Sequence, residues 1–229
     1  MTSLLLRKLH RWVALVVGLQ VLLWTLSGTV FAWLDHGAVT GDGLALATVP
    51  APALAADLAV VEPARLQDLV GTRTVRALSL RFVDGQWVYR VAAAGGVHLR
   101  RARDGARVDI DAAMARRLAA MHYRGGGRLD SVRHHAAATL ETRDAGPTWE
   151  AAYRDAAGTR LYFSAEDATL VAVRTDAWRL KDVFWMLHTM DYRGRDDFNN
   201  PLVMLAGAAA AWVALTGLWL LVRVLRART

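Results

Sequence analysis

Cysteine is absent from the 229 residues. That absence excludes disulfide staples, thiolate metal ligands and cysteine nucleophiles together. It leaves an extracytoplasmic location open, because a domain of this size can bury its own core. Other chemistry-bearing patterns are missing too. His, Asp and Glu nowhere show the three- or four-ligand spacing of a zinc site. A phosphate-cradling loop needs glycines after a strand and before a helix, whereas Gly125, Gly126 and Gly127 follow a predicted helix and precede a predicted strand. Ser27 and Ser164 lie in no nucleophile context, and no nicotinamide or flavin fingerprint is present. No catalytic residue is assigned, and any electrons that pass must come from another subunit.

Charge is the next absence. Residues 12–34 and 201–222, 23 and 22 positions long, contain no Asp, Glu, Lys or Arg. At about 1.5 Å per residue each run makes a helix of more than about 30 Å, enough to cross a bilayer core. The basic surplus sits beside them: Arg7, Lys8 and Arg11 before the first, Arg223, Arg226 and Arg228 after the second. Setting those six aside lowers the net charge from +7 to +1. A nearly neutral middle has no field to track phosphates, so nucleic acid is not an expected partner. Basic residues at both membrane ends predict cytoplasmic termini and a middle segment outside, which in a bacterium is the periplasm. The first apolar run exceeds the roughly 7–15 residues of a signal-peptide core, so it is expected to stay as a span.

The chain then parses into a basic tail (1–11), a first transmembrane helix (12–34), a Gly/Ala/Pro-rich linker (35–52) and a folded middle. Two helix-plus-sheet units are expected there, 53–110 and 111–175. In the first, Glu62-Pro63 opens a short helix to about residue 70. Strands follow at 75–83, 86–91, 97–101 and 106–110, with Asp84-Gly85 as a hairpin turn. In the second, Asp111 is the expected N-cap of a helix to about Tyr123, terminated by Gly125 to Gly127. Strands are expected at 129–142, 148–154, 159–164 and 169–174. The units share local words, Tyr89-Arg90 against Tyr153-Arg154 and Gly96 to Leu99 against Gly158 to Leu161. An amphipathic helix over 176–192, carrying Trp178 and Trp185, suits a membrane interface. Asn200-Pro201 is a good N-cap and first turn for the second span (201–222), and 223–229 is a second basic tail. The fold class is thus an α+β membrane protein, an antiparallel two-helix hairpin flanking a periplasmic domain.

Counted inward from Trp12 and from Arg223, Gly18 lies level with Gly217 and Gly28 with Gly207. Small residues at matched depth predict a close seam between the spans. Ser27 and Thr216, each preceding one of these glycines, are placed to hydrogen-bond across that seam or back to their own helix.

The words at both membrane edges carry a resemblance. Arg7-Lys8-Leu9-His10-Arg11-Trp12 followed by an apolar run with Ser27-Gly28 resembles the opening of the PepSY-associated transmembrane family. Leu187-His188-Thr189, then Leu215-Thr216-Gly217-Leu218-Trp219 before arginines, resembles its closing helix. The helix-plus-sheet units are similar to PepSY domains. The resemblance implies a bacterial inner-membrane protein connected with iron or siderophore uptake, and larger relatives with more spans include haem-containing reductases. Soluble PepSY domains regulate peptidases.

Haem makes the histidines the candidate cofactor residues: His10, His36 and His188. His10 and His36 are 26 residues apart, about 39 Å along a helix, too far to share one iron. That leaves His36 with His188, walled by Trp33, Trp178 and Trp185, or symmetry-related His10 or His188 pairs in a homodimer. His134 and His135 are adjacent and point to opposite faces of a strand, and His98 and His122 stand alone. The leading expectation is an accessory, partner-binding membrane protein serving iron uptake or a membrane redox system. A haem-carrying electron-transfer subunit and a regulator of periplasmic peptidases are the alternatives. The expected partners are the bilayer and a membrane or periplasmic protein.

Overall fold

The computed structural model describes residues 2–54, 60–62, 65 and 74–227. Its elements in chain order are α1 (Thr2–Trp33), α2 (His36–Thr40), β1 (Val75–Val83), β2 (Gln86–Ala93), β3 (Gly96–Arg101), α3 (Ala112–His122), β4 (Arg128–His135), β5 (Thr148–Arg154), β6 (Arg160–Ser164), β7 (Leu170–Arg174), α4 (Asp176–Thr189) and α5 (Pro201–Arg226). They form two compact units, Met1–Asp35 with Ala177–Thr229, and His36–Asp176. The protein is α+β, with two apolar helices near the chain ends and two antiparallel sheets between them.

In the helical unit, α1 and α5 run for 32 and 26 residues, past the uncharged stretches and through the basic residues that flank them. Both are long and apolar enough to cross a membrane. α5 buries no residue, and Leu15, Leu19, Leu205, Leu215 and Leu218 stand exposed, so these helices present apolar surface outward. α1 begins at Thr2, which places Arg7, Lys8 and Arg11 on the helix and not on a separate tail. Asn200 caps α5 as the sequence predicts: its side chain accepts from the Leu202 and Val203 amides, with Pro201 in the first turn.

The other unit contains a three-stranded sheet, β1-β2-β3, and a four-stranded sheet, β4-β5-β6-β7, antiparallel throughout. The Asp84-Gly85 turn forms as predicted, joining Val83 to its partner Gln86. Both of its residues have positive φ, 50° and 78°, the backbone twist that a two-residue hairpin requires. α3 starts at the predicted cap, where Asp111 accepts from the Met114 amide at 2.7 Å. It ends at His122 because Tyr123 turns extended, φ −66° and ψ 136°, without a glycine terminator.

Several boundaries differ from expectation. The segment expected as a strand over 106–110 makes only an isolated bridge, Arg100 to Arg107. β4 ends at His135, and residues beyond it turn through the Thr139 to Ala145 hydrogen bonds. The helix expected over 62–70 lies largely outside the described residues. The stretch read as a linker is packed: Leu46 N donates to His122 O, Arg124 N to Leu44 O, and Ala45 bridges Tyr123. Its backbone groups satisfy the end of α3, which composition alone does not announce.

The largest difference is in the core. The two sheets share one apolar cluster: Val83, Val88 and Leu99 of the first sheet join Met114, Leu118 and Ala119 of α3 with Ala151, Leu161 and Phe163 of the second. Polar links cross the same boundary, Arg90 Nε to Asp167 Oδ2 at 2.8 Å and Arg81 Nη1 to Thr169 Oγ1 at 3.0 Å. The matching words thus fall in different places: Leu99 and Leu161 share this cluster with Tyr153, whereas Tyr89 joins Val91 and Ala102 in a smaller second cluster on the first sheet.

His122 is buried in that core, its Nδ1–H donating to Leu46 O at 2.6 Å and its ring edge-on to Phe163. Burial lowers its pKa from the ordinary 6.5, and the Leu46 carbonyl only partly opposes this. The unfolded chain therefore takes up a proton near pH 6.5 that the folded chain resists. The stability that neutral His122 contributes is present above 6.5 and is lost as pH falls through the folded value. Urea unfolding of the detergent-solubilised protein, followed over successive pH values below neutrality, should show a midpoint that falls on acidification. His122→Gln should flatten that slope, and equal slopes in the two proteins would contradict the assignment.

Candidate functional site

Polar side chains on a long apolar helix need partners, because an unanswered polar group away from water is costly. In the helical unit this need gathers the residues of interest. Ser27 on α1 is fully buried. Its hydroxyl donates back to Leu23 O at 2.7 Å, with Trp24 O at 3.1 Å, and its oxygen lies 2.7 Å from His188 Nδ1 on α4. Thr216 on α5 repeats the pattern. Its hydroxyl donates to Trp212 O at 2.8 Å, with Val213 O at 3.1 Å, and its oxygen lies 2.8 Å from His10 Nδ1 on α1.

Both imidazoles are half-buried and flanked by aromatic rings, His188 by Phe31 at 5.5 Å and His10 by Trp212 at 6.4 Å between centroids. Nε2 of neither ring makes a hydrogen bond among the described residues.

α4 is fixed at its end by the same helix that receives His188. The last carbonyls of a helix have no intrahelical donor. Here Gln20 Nε2 donates to Leu187 O, Trp24 Nε1 to His188 O, and Asn200 Nδ2 to Thr189 O. The loop into α5 is built on one carboxylate. Asp191 accepts from the backbone amides of Arg193, Gly194, Asp196 and Asp197, which hold its pKa down to about 2. Arg195 meets the buried Asp182 at 2.6 Å, and Trp185 donates its indole N–H to Arg195 O.

Of the four glycines expected at a seam, a Cβ at Gly18, Gly28 or Gly207 would meet nothing within 4 Å outside its own helix. At Gly217 it would meet the His10 ring, with Cε1 at 3.3 Å. Depth counted from Trp12 and Arg223 assumed that the flanking charges lie level. The register is set by the His10–Thr216 contact, eight positions before Gly18 on α1 and so about two helical turns away. Of the expected haem walls, Trp33 is 83 % exposed, whereas Trp185 packs on Phe31, the neighbour of His188. The expected coordination partner His36 falls in the other unit, exposed at the first residue of α2.

The His36–Asp176 unit holds a separate polar cluster on the second sheet. Buried Glu150 meets His135 Nε2 at 2.8 Å, and Tyr162 donates to Glu141 at 2.8 Å, with Arg160 beside both acids. Burial first, then Glu141, pushes the Tyr162 hydroxyl up well beyond its ordinary value. Charges here compensate one another. His134 points away and packs on Trp149 at 4.9 Å, as adjacent strand residues must. Among the described residues no group of three or more His, Asp or Glu is placed to hold a metal ion.

Reading the sequence kept His10 and His188 apart from Ser27 and Thr216, as cofactor and packing residues respectively. The structure pairs them. Gln20 and Trp24 were missed; the usable signal was that Gln20 is the one amide side chain within residues 12–34. No protein family, characterised protein or solved structure shows a significant match to the chain.

These contacts separate the glycines. Gly28→Leu should leave the α1–α5 spacing unchanged, because its Cβ direction is open. Gly217→Leu should drive His10 off Thr216 and widen that spacing at the chain-terminal end. Distances between spin labels on α1 and α5 report both, and the reverse ranking would refute the packing.

Proposed function

We propose that this chain is a membrane-embedded accessory subunit of a redox system, of the PepSY-associated type, and that it binds haem through His10 and His188. The observation that carries this reading is the pair of half-buried imidazoles at opposite ends of the hairpin. Each is held by Nδ1 and has no hydrogen-bond partner on Nε2 among the described residues. Imidazole nitrogen is an axial haem ligand, and haem supplies one-electron chemistry when bound. The donor set fits the group: imidazole nitrogens, aromatic neighbours Phe31 and Trp212, and apolar helix surface for a porphyrin face.

The chain's own residues orient and dehydrate. Ser27 and Thr216 hold one edge of each ring. Trp24, Gln20 and Asn200 anchor the end of α4, so that His188 keeps a fixed position relative to α1. His10 and His188 are the only histidines of the helical unit, one toward each end of the hairpin. Each ring would hold haem at its own end of the hairpin, and a second copy of this chain would supply a second imidazole there by symmetry. The exposed apolar flanks of α1 and α5 suit both lipid and such a partner. The basic residues at the chain-terminal end of both helices favour cytoplasmic termini, which puts the sheet domain outside the inner membrane, where it is available to a periplasmic or membrane partner.

Purification in mild detergent from haem-replete bacterial cells tests this directly. The wild-type protein should carry a Soret band, His10→Ala and His188→Ala should each lower haem per chain, and the double variant should abolish it. A colourless wild-type protein would overturn the proposal.

A further inference from the structure

Ser27 and Thr216 make more than a packing contact with the two histidines. Each hydroxyl has a single proton, and each lies within 2.7–2.8 Å of a carbonyl oxygen on its own helix, Leu23 O and Trp212 O. A carbonyl has no proton to offer, so the hydroxyl proton is committed there. The hydroxyl oxygen can then act toward the imidazole only as an acceptor. At 2.7 and 2.8 Å the remaining proton of each contact must be on Nδ1 of His188 and of His10. A neutral ring protonated on Nδ1 carries its lone pair on Nε2. Nε2 of each ring meets no acceptor or donor among the described residues.

We propose that Ser27 and Thr216 are positioning residues that fix His188 and His10 as Nδ1–H tautomers, presenting Nε2 of each ring as a bare lone pair to an electrophilic ligand. The device is built twice from different parts. At one end α1 supplies the hydroxyl and α4 the ring; at the other α5 supplies the hydroxyl and α1 the ring. Gly217 belongs to the second copy, because a Cβ there would come within 3.3 Å of the His10 ring and press it away from its place beside Thr216. A hydroxyl placed merely to fill a helix seam would not need a ring nitrogen on its remaining lone pair, yet both do. The identity of the ligand as haem rests on the function proposed above; the tautomer assignment does not.

The test uses full-length apo protein in lipid or detergent, with ¹⁵N-labelled histidine, read by ¹⁵N–¹H imidazole correlations. Both rings of the wild type should show a protonated Nδ1 and an unprotonated Nε2. Ser27→Ala should shift His188 toward the Nε2–H form while His10 stays unchanged, and Thr216→Val should do the reverse. The unaffected ring reports that the fold survives. Ser27→Thr should retain the wild-type spectrum.

Ferric protoporphyrin IX titrated into the same samples should bind about 10–100-fold more weakly to each hydroxyl-lacking variant, the usual scale for losing a partner that orients a ligand. An Nε2–H wild type, or tautomers unmoved in both variants, would overturn the inference even if haem binds. If the tautomers behave as stated and haem does not bind to wild type, the inference stands and the haem reading falls.

Discussion

A helix that has almost no polar neighbours cannot leave a hydroxyl, an amide or an indole N–H unanswered, and α1 has Gln20, Trp24 and Ser27 along one stretch. All three reach α4, at the Leu187 and His188 carbonyls and the His188 ring, while the Ser27 hydroxyl proton goes to Leu23 O on α1 itself. A 14-residue helix with a modest apolar face is thereby held by its C-terminal end against a 32-residue one. The carbonyls that any helix end leaves open are the acceptors, so no extra polar group had to be buried to make the joint. Everything proposed for His188 follows from this joint, because the ring's position is fixed by the backbone that carries it.

Magnitude decides what these contacts are for. A hydrogen bond between neutral side chains in a membrane is worth on average about 0.6 kcal/mol, and in water about 0.5–1.5. Losing one such bond does not unfold a helical hairpin. It is enough to change which of two nearly equal tautomers an imidazole adopts, since about 1.4 kcal/mol is a tenfold population ratio. Ser27 and Thr216 are therefore better understood through the state of the rings they touch than through stability. The buried core of the other unit is of a different order, with Val88, Leu161 and Phe163 fully enclosed, each such apolar side chain contributing about 1.5–3 kcal/mol.

The sequence made the secondary structure legible where the physical signal was local. Missing charge marked α1 and α5, Asp111 and Asn200 marked helix starts, and Asp84-Gly85 marked a hairpin. It failed where partners were distant. Residues 35–52 read as a linker because Gly, Ala and Pro dominate, yet the Leu46 amide donates to His122 O and the Leu44 carbonyl accepts from Arg124 N, at the far-off end of α3. The repeated words suggested two units, and nothing in them shows that both sheets close on one core. Glycine depth was a poor guide for a related reason: charge position sets helix depth only loosely, and Gly217 faces the His10 ring, about two turns from Gly18. For the site, the residue types were legible and their pairing was not. Histidine and hydroxyl residues could each be singled out, but which hydroxyl meets which ring depends on that register.

The two ring contacts also constrain α1 itself. His10 and Ser27 are 17 residues apart on one continuous helix, about 25 Å along its axis. One is tied to α5 and the other to α4. A slide of α1 by even one residue, about 1.5 Å, carries both residues off partners that sit at 2.7–2.8 Å, and a rotation by one residue, about 100°, turns both away. A single polar contact would leave α1 free to pivot about it; two contacts near opposite ends of the helix, on different neighbours, do not. Since apolar helix surfaces pack against lipid and against one another with little preference for register, these two pairs, together with the Gln20 and Trp24 bonds to the end of α4, specify one arrangement of the hairpin. The same atoms that define the arrangement leave both Nε2 atoms available, so holding the helices and presenting the ligand nitrogens are one structural requirement.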